Sequence, residues 1–190
     1  ALIPYGGTVR VPQEMRHMLI EPATTEHWLD GNWNGCFEGT THNYSNGLAP
    51  GDRLGYLPTF SAYRYLNDWC PYEGSELMGL TNDQAKLEAT VDSFLLSDGT
   101  GTDIGAAWGL ATLDPEWRGE FPDTESELPR DYNEGTKKIM IIMSDGGITG
   151  QVFPKNSEMD EHPYRSRNYI SSDSVHNGQY NDICDKAKDN

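Results

Sequence analysis

The stretch that decides the fold reading is Ile139-Met140-Ile141-Ile142-Met143, broken off by Ser144-Asp145-Gly146-Gly147. Five consecutive apolar residues ended by a turn signal predict a strand over 137–143, covered on both faces as in a parallel sheet. Such a strand delivers Asp145 to its carboxyl end, outside which the ligands of open α/β sheets collect. A second stretch, Gly99-Thr100-Gly101-Thr102-Asp103-Ile104-Gly105, opens into Ala106-Ala107-Trp108-Gly109-Leu110. It predicts a glycine-rich turn that brings the Thr102 hydroxyl to the start of a helix over 103–111. A hard cation takes one or two carboxylates with neutral oxygens, which singles out Thr102 and Asp145 as a candidate metal pair. Each has a plainer role. Asp145 is a common turn residue before Gly-Gly, and Thr102 is a good helix N-cap. Asp103 suits the helix dipole, and Trp108 suits a core.

Working outward, Ala1-Leu2-Ile3-Pro4-Tyr5 and Thr8-Val9-Arg10-Val11 predict two short strands around a Gly6-Gly7 turn. Residues 12–79 predict a long irregular insert dominated by Asn, Gly, Pro, Tyr and Trp, with short elements such as Tyr63-Arg64-Tyr65-Leu66 inside it. A loop region of that length is functional or stapled in a compact domain. Thr81-Asn82-Asp83-Gln84 carries a capping-box signal, with an apolar stripe at Leu80, Ala85, Leu87, Val91, Phe94 and Leu95 behind it. Residues 119–134 and 147–178 predict polar loops, and 180–188 a further helix with Ile183 and Ala187 on one face. The order of strand, strand, insert, helix, helix, strand, helix implies an α/β sheet with a parallel crossover.

The chain has 190 residues, enough for one domain with a core, and a mean hydropathy of −0.68. Aromatic residues make up 11%, too many for a disordered chain. With 30 acidic against 14 basic residues the formal net charge is −16, which argues against nucleic acid and anionic lipid as partners. No apolar run is long enough to span a membrane. The chain starts at Ala1 within an apolar segment and reads as a piece of a longer protein. Cys36 and Cys70 bracket the aperiodic region and are a candidate disulfide, worth roughly 3–4 kcal/mol for a loop of that size, in an oxidising compartment. Cys184 reads as free or buried. His17, His27, His42, His162 and His176 form no metal-binding spacing, and no Gly-x-Ser-x-Gly elbow or phosphate loop is present.

The string from Gly101 through Leu110, followed by Leu113-Asp114-Pro115, resembles the second metal-site loop of von Willebrand factor A domains, and among these the TadG-like pilus-assembly proteins. Lys138 through Gly146 is similar to their fourth strand and third metal-site loop, and Leu2-Ile3-Pro4-Tyr5, Trp33-Asn34-Gly35-Cys36, Leu80-Thr81 and Ile183-Cys184-Asp185-Lys186-Ala187-Lys188 fit as well. The resemblance implies a single partial domain over 1–190. It would be a Rossmann-like, doubly wound α/β sheet carrying the 12–79 insert. It also implies a metal-ion-dependent adhesion site, MIDAS, holding Mg²⁺ (or Mn²⁺ or Ca²⁺) through Thr102 and Asp145. That site needs an Asp-x-Ser-x-Ser loop after the first strand, and the chain has none; Ser171-Ser172-Asp173-Ser174-Val175 does not fit. The first and last strands are therefore expected to be missing and the sheet incomplete, and metal is expected in the intact domain rather than in this piece.

What the resemblance implies for function is a non-enzymatic, metal-dependent adhesion or interaction module of the bacterial tight-adherence pilus system, in the periplasm or otherwise outside the cytoplasm. Its partner would be a protein with an acidic group, such as a pilus or envelope component. The parent protein would be membrane-anchored outside this stretch. Two alternatives are a structural envelope domain with a non-functional metal site, and a metal- or carboxylate-dependent hydrolase.

Overall fold

The computed structural model describes residues 1–18, 35–38, 47–51, 55–56, 70–95, 97, 99–132, 135–148, 151–154, 167–170 and 173–189. The short elements expected around Tyr63–Leu66, together with His27, His42 and His162, lie outside them.

The centre of the molecule is a helix that is buried on every side. Helix α2 (Thr102–Ala111) follows α1 (Gln84–Ser93) and precedes α3 (Asp173–Asp189), and all ten of its residues are buried. A helix that is apolar around its whole circumference belongs in a core, and this one is sealed by different partners on different faces. Gly101, Gly105 and Gly109 recur every four residues and so share one face. Against that face lie, in turn, the Gly6 and Gly7 carbonyls, the Tyr5 ring and the Met140 side chain. A Cβ at these glycines would meet them at 3.0, 2.7 and 2.7 Å respectively. α3 packs on α2 through Ile183. Trp108 meets Trp117 edge-on with ring centroids 5.7 Å apart, and Trp117 stacks on Phe121 at 5.4 Å. The Trp117 indole donates to the Leu48 carbonyl at 3.0 Å. This satisfies the one polar atom of a fully buried ring.

The N-terminal segment turns at Gly6-Gly7, with Tyr5 and Val9 forming an antiparallel bridge. It is stitched to distant residues rather than extended into a sheet. Leu2 and Met78 exchange two backbone hydrogen bonds at 2.8 and 3.0 Å, Leu77 donates to the Arg10 carbonyl, and Val11 donates to that of Gly35. Arg10 Nε also pairs with Glu76 at 2.9 Å. The 12–79 region is not peripheral: a 3₁₀ turn over Gln13–Met18 buries Met15 and Met18, and Leu48 and Leu77 join the same core.

Among the described residues the expected doubly wound α/β sheet is not formed. Among the described residues, strand pairing is limited to two short antiparallel pairs, β1 (Phe37–Glu38) with β2 (Gly55–Tyr56) and β3 (Gln151–Pro154) with β4 (Arg167–Ile170). Neither pair is parallel, and the one parallel contact among the described residues is an isolated bridge between Arg10 and Glu76. The decisive difference is at 137–143, which forms no strand: exposed and half-buried residues alternate along it with the period of an extended chain, and Ile139 through Ile142 make no backbone hydrogen bond among the described residues. The fully buried strand expected there has one covered face. Met140 meets α2 at Gly109 and Ile142 packs on the core. Ile139, Ile141 and Met143 are 63, 81 and 83% exposed. A run that is apolar at every position does not disclose in sequence which alternate residues will be covered.

Helix α1 also differs from expectation. Its N-cap is Asp83, whose carboxylate accepts from the Lys86 amide at 3.0 Å. Thr81 instead accepts from the Asp83 amide, and Gln84 reaches forward to Glu88 rather than back. The helix ends at Ser93 and fully buries none of its residues: of the stripe, Val91 and Leu95 are exposed while Leu87 and Phe94 are half-buried. α3 begins well before the expected residue 180 and draws the preceding polar residues into a helix.

Candidate functional site

The two residues singled out in the sequence differ in exposure. Thr102 is the first residue of α2 and is buried. Asp145 is exposed in the turn that closes the extended segment. The two regions are joined by Tyr5. Its hydroxyl donates to the Met143 carbonyl at 2.9 Å, two residues before Asp145, while its ring lies on Gly105, one turn beyond Thr102. Asp103, next to Thr102, is wholly buried, and its carboxylate lies 3.1 Å from Nδ1 of the buried His176 on α3. The pair is one of the fastenings between the two helices. Gln179, one turn further along α3, is 2% exposed, and both polar atoms of its amide lack a hydrogen-bond partner.

His176 and Gln179 escaped sequence reading because the helix that carries them was expected to begin after both. Their i, i+3 spacing, which places them on one face, becomes a signal only once α3 is known to start at Asp173. Tyr5 also went unmarked, because a residue two positions before a Gly-Gly turn carries no chemical signature. The Tyr180 phenol is pushed up by burial first, and then by its hydrogen bond with Cys184 and by the neighbouring Tyr5. This places the free Cys184 beside the Tyr180 phenol.

A cleft of about 380 Å³ opens beside the extended segment, lined by Leu110, Leu113, Tyr132, Lys138, Met140 and Ala187 among others. The Lys138 ammonium donates to the Leu113 carbonyl at 2.7 Å and sits 3.7 Å from the centroid of the Tyr132 ring. Burial raises the Tyr132 phenol, and Asp114 and Glu116 add to the rise. At neutral pH the cleft therefore presents a neutral phenol and a lysine already engaged.

Among the described residues no three His, Cys, Asp or Glu side chains stand together in a way that could hold a metal ion. Thr102 and Asp145 contribute two oxygens where Mg²⁺ takes about six in near-octahedral geometry, and the Asp103 carboxylate is engaged with His176. The described residues do not fit a resident Mg²⁺. Cys36 and Cys70 are joined by a disulfide, with Cα atoms 5.9 Å apart.

Comparison with protein families, with curated proteins and with solved structures finds no match to this chain.

Proposed function

We propose that this chain is a non-enzymatic interaction module of the bacterial cell envelope, and that its docking element is the outward edge of the extended segment around Ile141. The observation that carries this reading is the exposure of Ile139, Ile141 and Met143, alternating with half-buried Met140 and Ile142 as on the two sides of an extended chain. Large apolar side chains gathered on a surface mark interaction sites. An extended chain with unpaired amide and carbonyl groups accepts a further strand by main-chain hydrogen bonding.

Three further features support it. The Asp103–His176 pair, the arrangement closest to acid–base machinery, is closed off from solvent. The Cys36–Cys70 disulfide suits an oxidising compartment. The resemblance of Gly101 through Leu110 and of Lys138 through Gly146 to TadG-like proteins points to the pilus or envelope machinery as the setting. Because the described residues do not fit Mg²⁺, no step of the proposed docking passes through a metal ion.

The test is amide hydrogen exchange on the full chain with a synthetic nonapeptide of alternating valine and lysine, whose charge suits a protein of net charge −16. Exchange at 139–143 is expected to slow as the peptide is added, and Ile141→Pro, which removes an edge donor, is expected to abolish the slowing. Unchanged exchange at millimolar peptide would overturn the reading.

A further inference from the structure

The extended segment carries a pattern that selects its own partner. Its odd-numbered positions Lys137, Ile139, Ile141 and Met143 are exposed, and so is Asp145, two residues on, where the chain begins to turn away. A cation stands at one end of this row, an anion at the other, and three apolar side chains lie between. Ile139 through Ile142 make no backbone hydrogen bond among the described residues, and the Met143 carbonyl accepts only the Tyr5 hydroxyl.

We propose that two copies of this chain pair antiparallel along this edge, with Ile141 at the twofold axis. The inference rests on the docking role proposed above and names the partner. In this register Ile141 faces its own copy, Ile139 faces Met143, and Lys137 faces Asp145. Each of the last two pairs occurs twice by symmetry. Directly opposed residues are the nearest neighbours across an antiparallel ladder, so both ends of the contact carry opposite charges. The competing arrangements lose this match. Parallel in-register pairing sets Lys137 on Lys137 and Asp145 on Asp145. An antiparallel slip by two residues sets Lys137 against Met143 or Ile139 against Asp145. A slip by one residue opposes outward positions to inward ones. Main-chain bonding supplies the attraction, and the charged ends supply the register.

The experiment is sedimentation equilibrium on the full chain, with exchange at 139–143 followed as protein concentration rises. The wild type is expected to form a dimer in which these amides slow. Lys137→Glu puts Glu against Asp at both ends and is expected to weaken the dimer by about tenfold. Asp145→Lys alone, which puts Lys against Lys, is expected to do the same. The double variant Lys137→Glu/Asp145→Lys restores opposite charges and is expected to recover the affinity. All four proteins keep the covered residues Met140 and Ile142, so loss of folding is not the expected cause of any difference, and circular dichroism checks this. A wild type that stays monomeric, or a double variant no tighter than either single one, overturns the proposal. If the wild type stays monomeric while the valine–lysine peptide still slows exchange, the edge docks strands but not its own copy. If both fail, the docking role falls as well.

Discussion

Helix α2 has one charged residue in ten and the run 139–143 has none, yet one is buried on all sides and the other on only one. The helix succeeds because its three aligned glycines let backbone, a tyrosine ring and a methionine approach one face, while Trp117 and α3 approach the others. The extended segment is richer in large aliphatic residues, but only its even-numbered ones are covered: Met140 lies against Gly109 of α2 and Ile142 against the core. Hydropathy measures the free energy available from burial, and whether that burial happens depends on what other elements are present to cover the surface. The contrast therefore assigns different roles: α2 organises the core, and the segment displays a surface.

The largest test of this contrast sets Trp108 in α2 against Ile141 in the segment. Trp108→Ala removes a side chain that is 1% exposed and the edge-on contact with Trp117. It is expected to cost about 3–5 kcal/mol in urea unfolding. Ile141→Ala, measured at a dilution where copies do not meet, is expected to stay within about 0.5 kcal/mol of wild type. Comparable losses at the two sites would show that the segment is part of the core after all.

These regions were not equally legible. α2 could be read because glycine, alanine, tryptophan and leucine around a full turn leave no polar face, and its observed start at Thr102 lies within a residue of the expected one. The pairing of Cys36 with Cys70 was suggested by the aperiodic chain between them. The segment misled for a reason intrinsic to its composition: with apolar residues on both sides, a period of two in burial leaves no trace in hydropathy. α1 misled in the opposite way. Its stripe is genuine in sequence, but Leu87 and Phe94 are only half-buried and Val91 and Leu95 are exposed. The buried polar residues His176 and Gln179 were hidden because polarity argues for exposure, and only the packing of α3 on α2 overrides that prior. The candidate pair Thr102 and Asp145 was legible as chemistry, whereas the tyrosine that links their two regions was not.

A finer test stays within the segment itself, where adjacent residues are expected to behave differently. Met140→Ala withdraws the side chain that meets Gly109 of α2, and is expected to cost about 2 kcal/mol, at the low end for a methionine because it is only partly covered. Ile141→Ala, one position along, changes stability little under the same conditions. A Met140 loss no greater than that at Ile141 would mean that the alternation in exposure has no energetic counterpart, and the outward edge would lose its claim to be a distinct surface.

The smallest expected effect concerns the junction where the two regions meet. Thr102 opens α2 and Asp145 closes the segment, so an ion held by both would tie them together and stabilise the fold by mass action. At a hundredfold excess over its dissociation constant such an ion adds about 2.7 kcal/mol, which for a domain of this size raises the melting temperature by roughly 5–10 °C. With only two oxygens offered by the pair and Asp103 engaged by His176, binding of Mg²⁺ or Mn²⁺ at about 5 mM is expected to be far from saturation, and the melting temperature to move by less than about 2 °C. A rise of about 5 °C that disappears in Asp145→Ala would reverse the conclusion. The exposed turn would then be a ligand, and α2 and the segment would be two halves of one metal-linked site instead of a core and a surface.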